Sequence, residues 1–315
     1  MNLRKPASIL LLSFCISTLL FGEDRLSKGD HFAPVNNINI HYFVSGNGPV
    51  CLVPTPGWGP SIDYLKNSLT PFEKYFTIVY YDTRISGQST GPDDPTQYTS
   101  QHFMNDMDSL RVYLNQQKIW LMGHSSGGFQ VLNYGIHHYE KLNGIIALDA
   151  MAGHDSLRSA EFEKMIMKRK GQPYFEAGSK ILLGKDTTNR SRTERRQLTI
   201  PFYFHDPQKI AELQKLGILA GMSGKASEYS EASKFGLEYL FPELNKITVP
   251  ALVVVGDDDF VCDKVSQADR IAKNIKSSTE IVIKDAGHFC WVEQPVQFFN
   301  DCESWLKNQG LQEQN

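Results

Sequence analysis

Three stretches of the sequence carry side chains that together could transfer an acyl group. In LMGHSSGGFQ (121–130), Gly123-His124-Ser125-Ser126-Gly127 fits the pattern G-x-S-x-G. In VVVGDDDFVC (253–262), three consecutive carboxylates, Asp257, Asp258 and Asp259, follow a glycine. In KDAGHFCWVEQP (284–295), His288 stands in a loop. A serine hydroxyl is a weak nucleophile until a base takes its proton. The base in turn needs a carboxylate to orient its ring and stabilise the imidazolium. Of the nine histidines in the chain, His288 alone follows the final strand candidate.

These residues must be placed by the elements around them. An apolar run at 118–122 reads as a buried strand and 127–139 as a helix, so Ser125 falls on a strand–turn–helix corner. That setting lifts the serine to the crest of a sharp bend, with glycines where a Cβ would strike neighbouring backbone. The amides at the start of the helix are free to meet a developing oxyanion. Further strands are expected at 76–82, 144–149, 251–256 and 280–283, with helices at 103–114, 264–274 and 296–307. A hairpin is expected to open the fold, with strand 38–46 turning at Gly46-Asn47-Gly48 into strand 50–53. Uninterrupted apolar strands alternating with helices imply an α/β fold, a mostly parallel sheet covered on both faces.

The alternation stops between 151 and 246, which is rich in Lys, Glu and aromatics, with helices expected at 159–170 and 207–216. The reading is a core of 23–150 and 247–315 with a helical cap insertion at 151–246. The cationic segments KMIMKRK and RSRTERR in the insertion read as solvated helix faces. At the N-terminus, Arg4 and Lys5 precede the apolar stretch 7–21, shorter than the ~20 residues of a membrane span and suited to a secretory signal over 1–22. Export to the periplasm or medium is expected, with an uncleaved anchor as the alternative.

At 315 residues, 41% hydrophobic and a net charge of −3, the chain has the composition of a globular protein and no electrostatic footprint for nucleic acid. Of five cysteines, Cys15 lies in the apolar stretch, and none of the rest has zinc-site spacing. Cys51 reads as a small buried residue. Cys262 and Cys290 closely follow the acid and the base and are a pair for a disulfide, with Cys290–Cys302 competing. Nothing points to a metal or an organic cofactor.

With these motifs in order Ser, Asp, His, the chain resembles the α/β-hydrolase superfamily over nearly its whole mature length. The resemblance implies a catalytic triad of Ser125, Asp259 and His288. Asp257, Asp258 and, more distantly, Asp149 remain alternatives for the acid. Asp82, Arg84, Gly87 and Ser89 match a D-x-R-G-x-G-x-S loop of these enzymes that is read as structural, with Ile85 in place of a glycine. Pro56-Gly57-Trp58-Gly59 resembles their His-Gly-Trp-Gly turn, so the amides of Trp58 and Ser126 would form the oxyanion hole. Pro56 has no N–H to offer.

Serine at position 125 excludes relatives with an aspartate nucleophile. The expected activity is hydrolysis of a small carboxylic ester or amide, or of a short peptide, by a serine hydrolase. The loop and the large insertion also resemble proline iminopeptidases, although GHSSGG differs from their elbow. An aminopeptidase needs acidic groups for the substrate amine, and Glu176, Glu194 and Glu228 in the insertion carry little weight. A non-catalytic binding protein on the same scaffold is the third reading.

Overall fold

The computed structural model describes residues 24–218 and 221–314, so the signal-like stretch 1–22 lies outside the described residues. Among the described residues, no helix is long and apolar enough to cross a membrane. The chain runs β1 (Gly29–Val35), β2 (Ile38–Gly46), β3 (Val50–Pro54), α1 (Asp63–Lys66), β4 (Thr77–Tyr81), α2 (Ser100–Tyr113), β5 (Ile119–His124), α3 (Ser126–His138) and β6 (Leu142–Leu148). Five helices follow: α4 (Ser156–Met167), α5 (Phe175–Leu182), α6 (Arg192–Thr199), α7 (Ile210–Lys215) and α8 (Gly224–Ser233). The chain then returns to the sheet through β7 (Ala251–Gly256), α9 (Asp269–Asn274), β8 (Ser278–Ile283), α10 (Cys290–Glu293) and α11 (Pro295–Asn308).

The strands form one 8-stranded sheet in the order β1-β2-β4-β3-β5-β6-β7-β8. All pairs from β4 onward across this order are parallel, and β2 runs antiparallel to both β1 and β4. Successive residues of the central strands point to opposite faces, and both faces are closed. Leu52, Leu121, Ile145 and Val253 pack with Met107, Phe129 and Ile271 from α2, α3 and α9. Their neighbours Val53, Met122, Ile146 and Val254 pack with Leu65, Phe298 and Leu306 from α1 and α11. Burial on both sides explains why these strands read as continuous apolar runs.

The opening of the fold differs from expectation. The hairpin is β1–β2, turning at Asn36 and Asn37, which both take positive φ (50° and 61°) as a two-residue turn requires. β2 and β3 do not pair, because β4 lies between them. The Gly46–Gly48 link turns against the chain that leads into β4: Asn47 N donates to Glu73 O at 3.1 Å, and a Cβ on Gly46 would meet Phe76 O at 2.2 Å. The link therefore carries β3 one strand further over.

The loop after β4 is a buried polar brace. Asp82 accepts from the amides of Ile62 (2.8 Å) and Gln88 (2.9 Å) and pairs with the His41 ring at 2.8 Å. Gly87 has φ +49°, and any Cβ there would lie 2.2 Å from the Asp82 carboxylate. Ser89 Oγ donates to Asp82 O at 2.6 Å, and Arg84 forks onto both oxygens of Asp106 (2.7 and 2.8 Å). Ile85, where the related loops have glycine, is held at φ +59°. Because Arg84 and Asp106 are almost fully buried, removing one partner strands the other charge. Asp106→Ala is expected to lower the unfolding free energy by about 3–5 kcal/mol in urea titrations, whereas Lys164→Ala at the exposed Lys164–Glu161 pair should change it little.

Candidate active site

β3 sits between β4 and β5, so the chain leaves it on one side and returns on the other. At such a reversal the loops beyond the carboxyl ends of the two strands diverge and leave a crevice. The loop after β3 carries Trp58, and the turn after β5 carries Ser125.

Ser125 occupies φ 59°, ψ −122°, a conformation non-glycine residues adopt only under constraint. Its amide donates to Leu148 O at 3.0 Å, and its carbonyl accepts from Phe129 N at 3.1 Å. The bend closes because Gly123 has no side chain: a Cβ there would lie 2.3 Å from Gly127 O. Gly128 is equally constrained, since its Cβ would lie 2.4 Å from that of Ala150. Gly127, the last residue of the motif, is less crowded, with Pro54 O 3.2 Å from an added Cβ.

Of the four carboxylates considered for the acid, only Asp259 reaches the imidazole, with Oδ2 2.8 Å from His288 Nδ1. Its other oxygen accepts from Val261 N (2.7 Å) and Cys262 N (3.1 Å), and both members of the pair are buried. Asp258 faces the helical insertion instead, with Lys168 Nζ at 2.6 Å and His205 Nδ1 at 3.2 Å. Asp257 takes the Ala286 amide at 3.4 Å. Asp149, at the end of β6, accepts from Gly256 N at 2.9 Å. Burial, and then the neighbouring Asp259 carboxylate, push the Asp149 carboxyl well above the usual carboxylate range.

Ser125 and His288 border one cavity of about 330 Å³, without a closed hydrogen bond between Oγ and the ring. Such contacts commonly tighten only when substrate is bound. Trp58 and Ser126 line the same cavity, and neither amide donates to another group among the described residues, which leaves both available to an oxyanion. The Trp58 turn is pinned from above, because Gly59 O accepts from Ser223 N of the insertion at 2.8 Å and a Cβ on Gly59 would lie 2.3 Å from Ser223 O. The remaining wall is mostly apolar and includes Met151, Ile200, Ile218, Phe235 and Phe289.

The loop that bears His288 is held by a residue that the sequence reading passed over. His124, the variable residue before the nucleophile, packs its ring 4.7 Å from that of His288. Its Nε2 lies 2.9 Å from His288 O and its Nδ1 3.1 Å from Tyr64 Oη. A carbonyl can only accept, so Nε2 carries the proton and Tyr64 donates to Nδ1. Complete burial, and then the neighbouring His288 ring, hold the His124 pKa well below the usual value.

The insertion is stitched to the loop that bears His288. His288 N donates to Tyr203 O at 2.8 Å, and Tyr203 stacks edge-on against the His288 ring at 5.5 Å. Glu293, itself buried, accepts from Asp206 N (2.8 Å) with one oxygen and from Gly287 N (2.6 Å) with the other. Gly287 must lack a side chain here, since a Cβ would lie 2.3 Å from Tyr203 O.

The expected disulfide is not formed: Cys262, Cys290 and Cys302 are separate buried thiols, as is Cys51. Burial pushes the thiols of Cys262 and Cys290 up, so neither is poised to react. Cys262 Sγ lies within 4.8 Å of donor atoms of Asp259 and His288. The Asp259 oxygens are already engaged by the imidazole and two amides, so the cluster reads as acid and base with a packed thiol.

Because folded His124 resists protonation and the unfolded residue does not, the unfolded chain binds one more proton below pH ~6.5. The contribution of neutral His124 is complete above that pH and is lost as pH falls. The unfolding free energy of the wild type, compared with His124→Gln, should decline by about 1.4 kcal/mol more per pH unit between pH 6 and 5. Parallel urea titrations measure the difference, and equal slopes would contradict the neutral assignment.

The family model described as alpha/beta hydrolase fold matches residues 53–295. The chain is similar to a proline iminopeptidase of Saccharolobus solfataricus, 25% identical over 286 residues, covering 85% of this chain and 89% of that one. It is also 24% identical over 282 residues to a soluble epoxide hydrolase of a Corynebacterium species, covering 86% and 94% of the two chains. Among solved structures, an alpha/beta fold family hydrolase from Bacillus anthracis superposes with a TM-score of 0.71 at 19% identity, covering 89% of this chain and 98% of that one. With the sheet order, the elbow and a family match over most of its length, the chain belongs to the alpha/beta hydrolase fold family.

Proposed function

We propose that the protein is a serine hydrolase that cleaves a small carboxylic ester or amide through an acyl-enzyme on Ser125. The observation that carries this reading is the buried Asp259–His288 pair, closed at 2.8 Å beneath the cavity that Ser125 borders. In this reading His288 Nε2 takes the Ser125 proton as Oγ attacks the carbonyl carbon. The amides of Trp58 and Ser126 receive the charge that develops on the carbonyl oxygen. The imidazolium, steadied by Asp259, returns the proton to the leaving group, and water attacks the acyl-enzyme by the same route in reverse. His124 acts as a positioning residue by holding the backbone carbonyl of the base.

The similarity to proline iminopeptidases favours a second reading, an aminopeptidase. Its support is weaker at the cavity itself. Among the described residues that line it there is no Asp or Glu, and Glu176, Glu194 and Glu228 are all solvent-exposed. Glu194 is occupied in a capping box with Ser191 at the start of α6. A binding protein that has kept its triad is the remaining alternative.

Turnover of p-nitrophenyl butyrate and of a proline arylamide separates the three. Ester hydrolysis that exceeds arylamide hydrolysis supports the lead reading, the reverse preference supports the aminopeptidase, and no turnover of either with no fluorophosphonate labelling of Ser125 sinks both. Asp259→Asn should lower kcat by about 10⁴-fold, with a similar or larger loss in Ser125→Ala. Asp258→Asn, whose carboxylate is aimed at the insertion, should leave kcat within a few-fold.

A further inference from the structure

The basic run Arg190-Ser191-Arg192-Thr193-Glu194-Arg195-Arg196 does not form the uniformly solvated face that its composition suggests. Arg190 and Arg195 both reach Asp186, at 3.5 and 3.4 Å. Arg192 reaches Glu231 at 4.0 Å and donates to Gly224 O at 3.2 Å. Arg196 differs. Its guanidinium makes no hydrogen bond or ion pair among the described residues, and it lines the active-site cavity. Helical periodicity explains the division: Arg196, Thr199 and Ile200 lie at i, i+3 and i+4, and Tyr203 follows at i+7, so one face looks into the cavity.

The charge inventory of that cavity is one-sided. Among the described residues that line it, Arg196 is the one permanently charged side chain. Asp259 stands behind the imidazole with both oxygens engaged, and His124 is held neutral by burial. A second polar group is also left without a partner there: Ser126 Oγ is more than nine-tenths buried, borders the cavity and has no hydrogen-bond partner. A partly buried guanidinium and a buried hydroxyl without partners are unfavourable in the protein alone. Both would be satisfied by a ligand that brings acceptors.

Resting on the serine-hydrolase reading, we infer that the site selects carboxylate-bearing substrates, with Arg196 of the insertion binding the substrate carboxylate while its ester or amide group lies at Ser125. The planar fork of arginine suits a carboxylate pairwise. The same charge disfavours a substrate with a free amine, which sets this cavity apart from one built for aminopeptidase chemistry.

Matched substrates test the inference. p-Nitrophenyl hemiglutarate, p-nitrophenyl valerate and p-nitrophenyl 5-aminovalerate place an anion, no charge or a cation on equal acyl chains. 4-Acetoxybenzoate and 4-acetoxybenzamide compare an anion with no charge on the leaving-group side. In at least one series kcat/KM should favour the anion over the neutral ester by about 10- to 100-fold, the size of a hydrogen bond to a charged group. Arg196→Gln should remove that preference mainly through KM and leave neutral esters within about threefold. Arg196→Lys should keep part of it, and Arg196→Glu should shift preference to the cation. No anion preference in either series, or an equal loss on charged and neutral esters in Arg196→Gln, overturns the inference.

Calorimetric binding of 4-phenylbutyrate against 4-phenylbutyramide reads the subsite without turnover. Arg196-dependent selectivity for the acid in a protein that hydrolyses no ester would refute the serine-hydrolase reading and retain the anionic subsite. Fluorophosphonate labelling of Ser125 with equal binding of acid and amide would do the reverse.

Discussion

The site depends on one strained residue. Ser125 is held at positive φ, which costs of the order of 1–3 kcal/mol and persists only where the surroundings fix it. Here they fix it from three sides. β6 accepts the Ser125 amide through Leu148, α3 begins by donating the Phe129 amide to the Ser125 carbonyl, and the absence of side chains at Gly123 and Gly128 lets strand and helix close on each other. The elbow is thus a junction of the sheet with its central helix. Packing on both faces of the sheet, far larger in extent than the turn, is what holds the hydroxyl at the cavity floor.

A second economy lies in Asp257, Asp258 and Asp259. As the chain leaves β7 in a tight turn, three neighbouring carboxylates point in three directions: to the β8 loop, to the insertion and to the imidazole. The middle one gathers Lys168, Arg169 and His205, so the insertion is tied to the residue beside the acid. Asp149 completes the arrangement from below, its carboxyl pushed upward by burial and by the neighbouring carboxylate.

Much of this was legible in the sequence for physical reasons. β5, β6 and β7 are buried on both faces, so nothing polar interrupts them, and they stand out as apolar runs. Ser125 and Asp259 follow β5 and β7 within a few residues, and His288 follows the less buried β8, so all three loops fall at one edge of the sheet; the choice of Asp259 among its neighbours came from the family resemblance and not from spacing. β1 was missed because GDHFAPV is an edge strand with a proline and little apolar contrast. The pairing of β2 with β3 was misjudged because adjacency in sequence suggested a hairpin, whereas β4, which begins only at Thr77, pairs with both and lies between them. The role of His124 was invisible, since its partners lie 60 and 164 residues away. Proximity in sequence likewise suggested a bridge between Cys262 and Cys290, but the thiols pack separately.

The double acceptor at Glu293 has a consequence for traffic into the cavity. Because one carboxylate accepts from both Asp206 and Gly287, and His288 N donates to Tyr203 O, a displacement of residues 203–206 would be passed directly to His288 and its contact with Asp259. The opposite rim is tied as well, by Ser223 N on Gly59 O and Ser233 Oγ on Tyr98 O, each at 2.8 Å, so a ligand meets a covering anchored on both sides of the cavity.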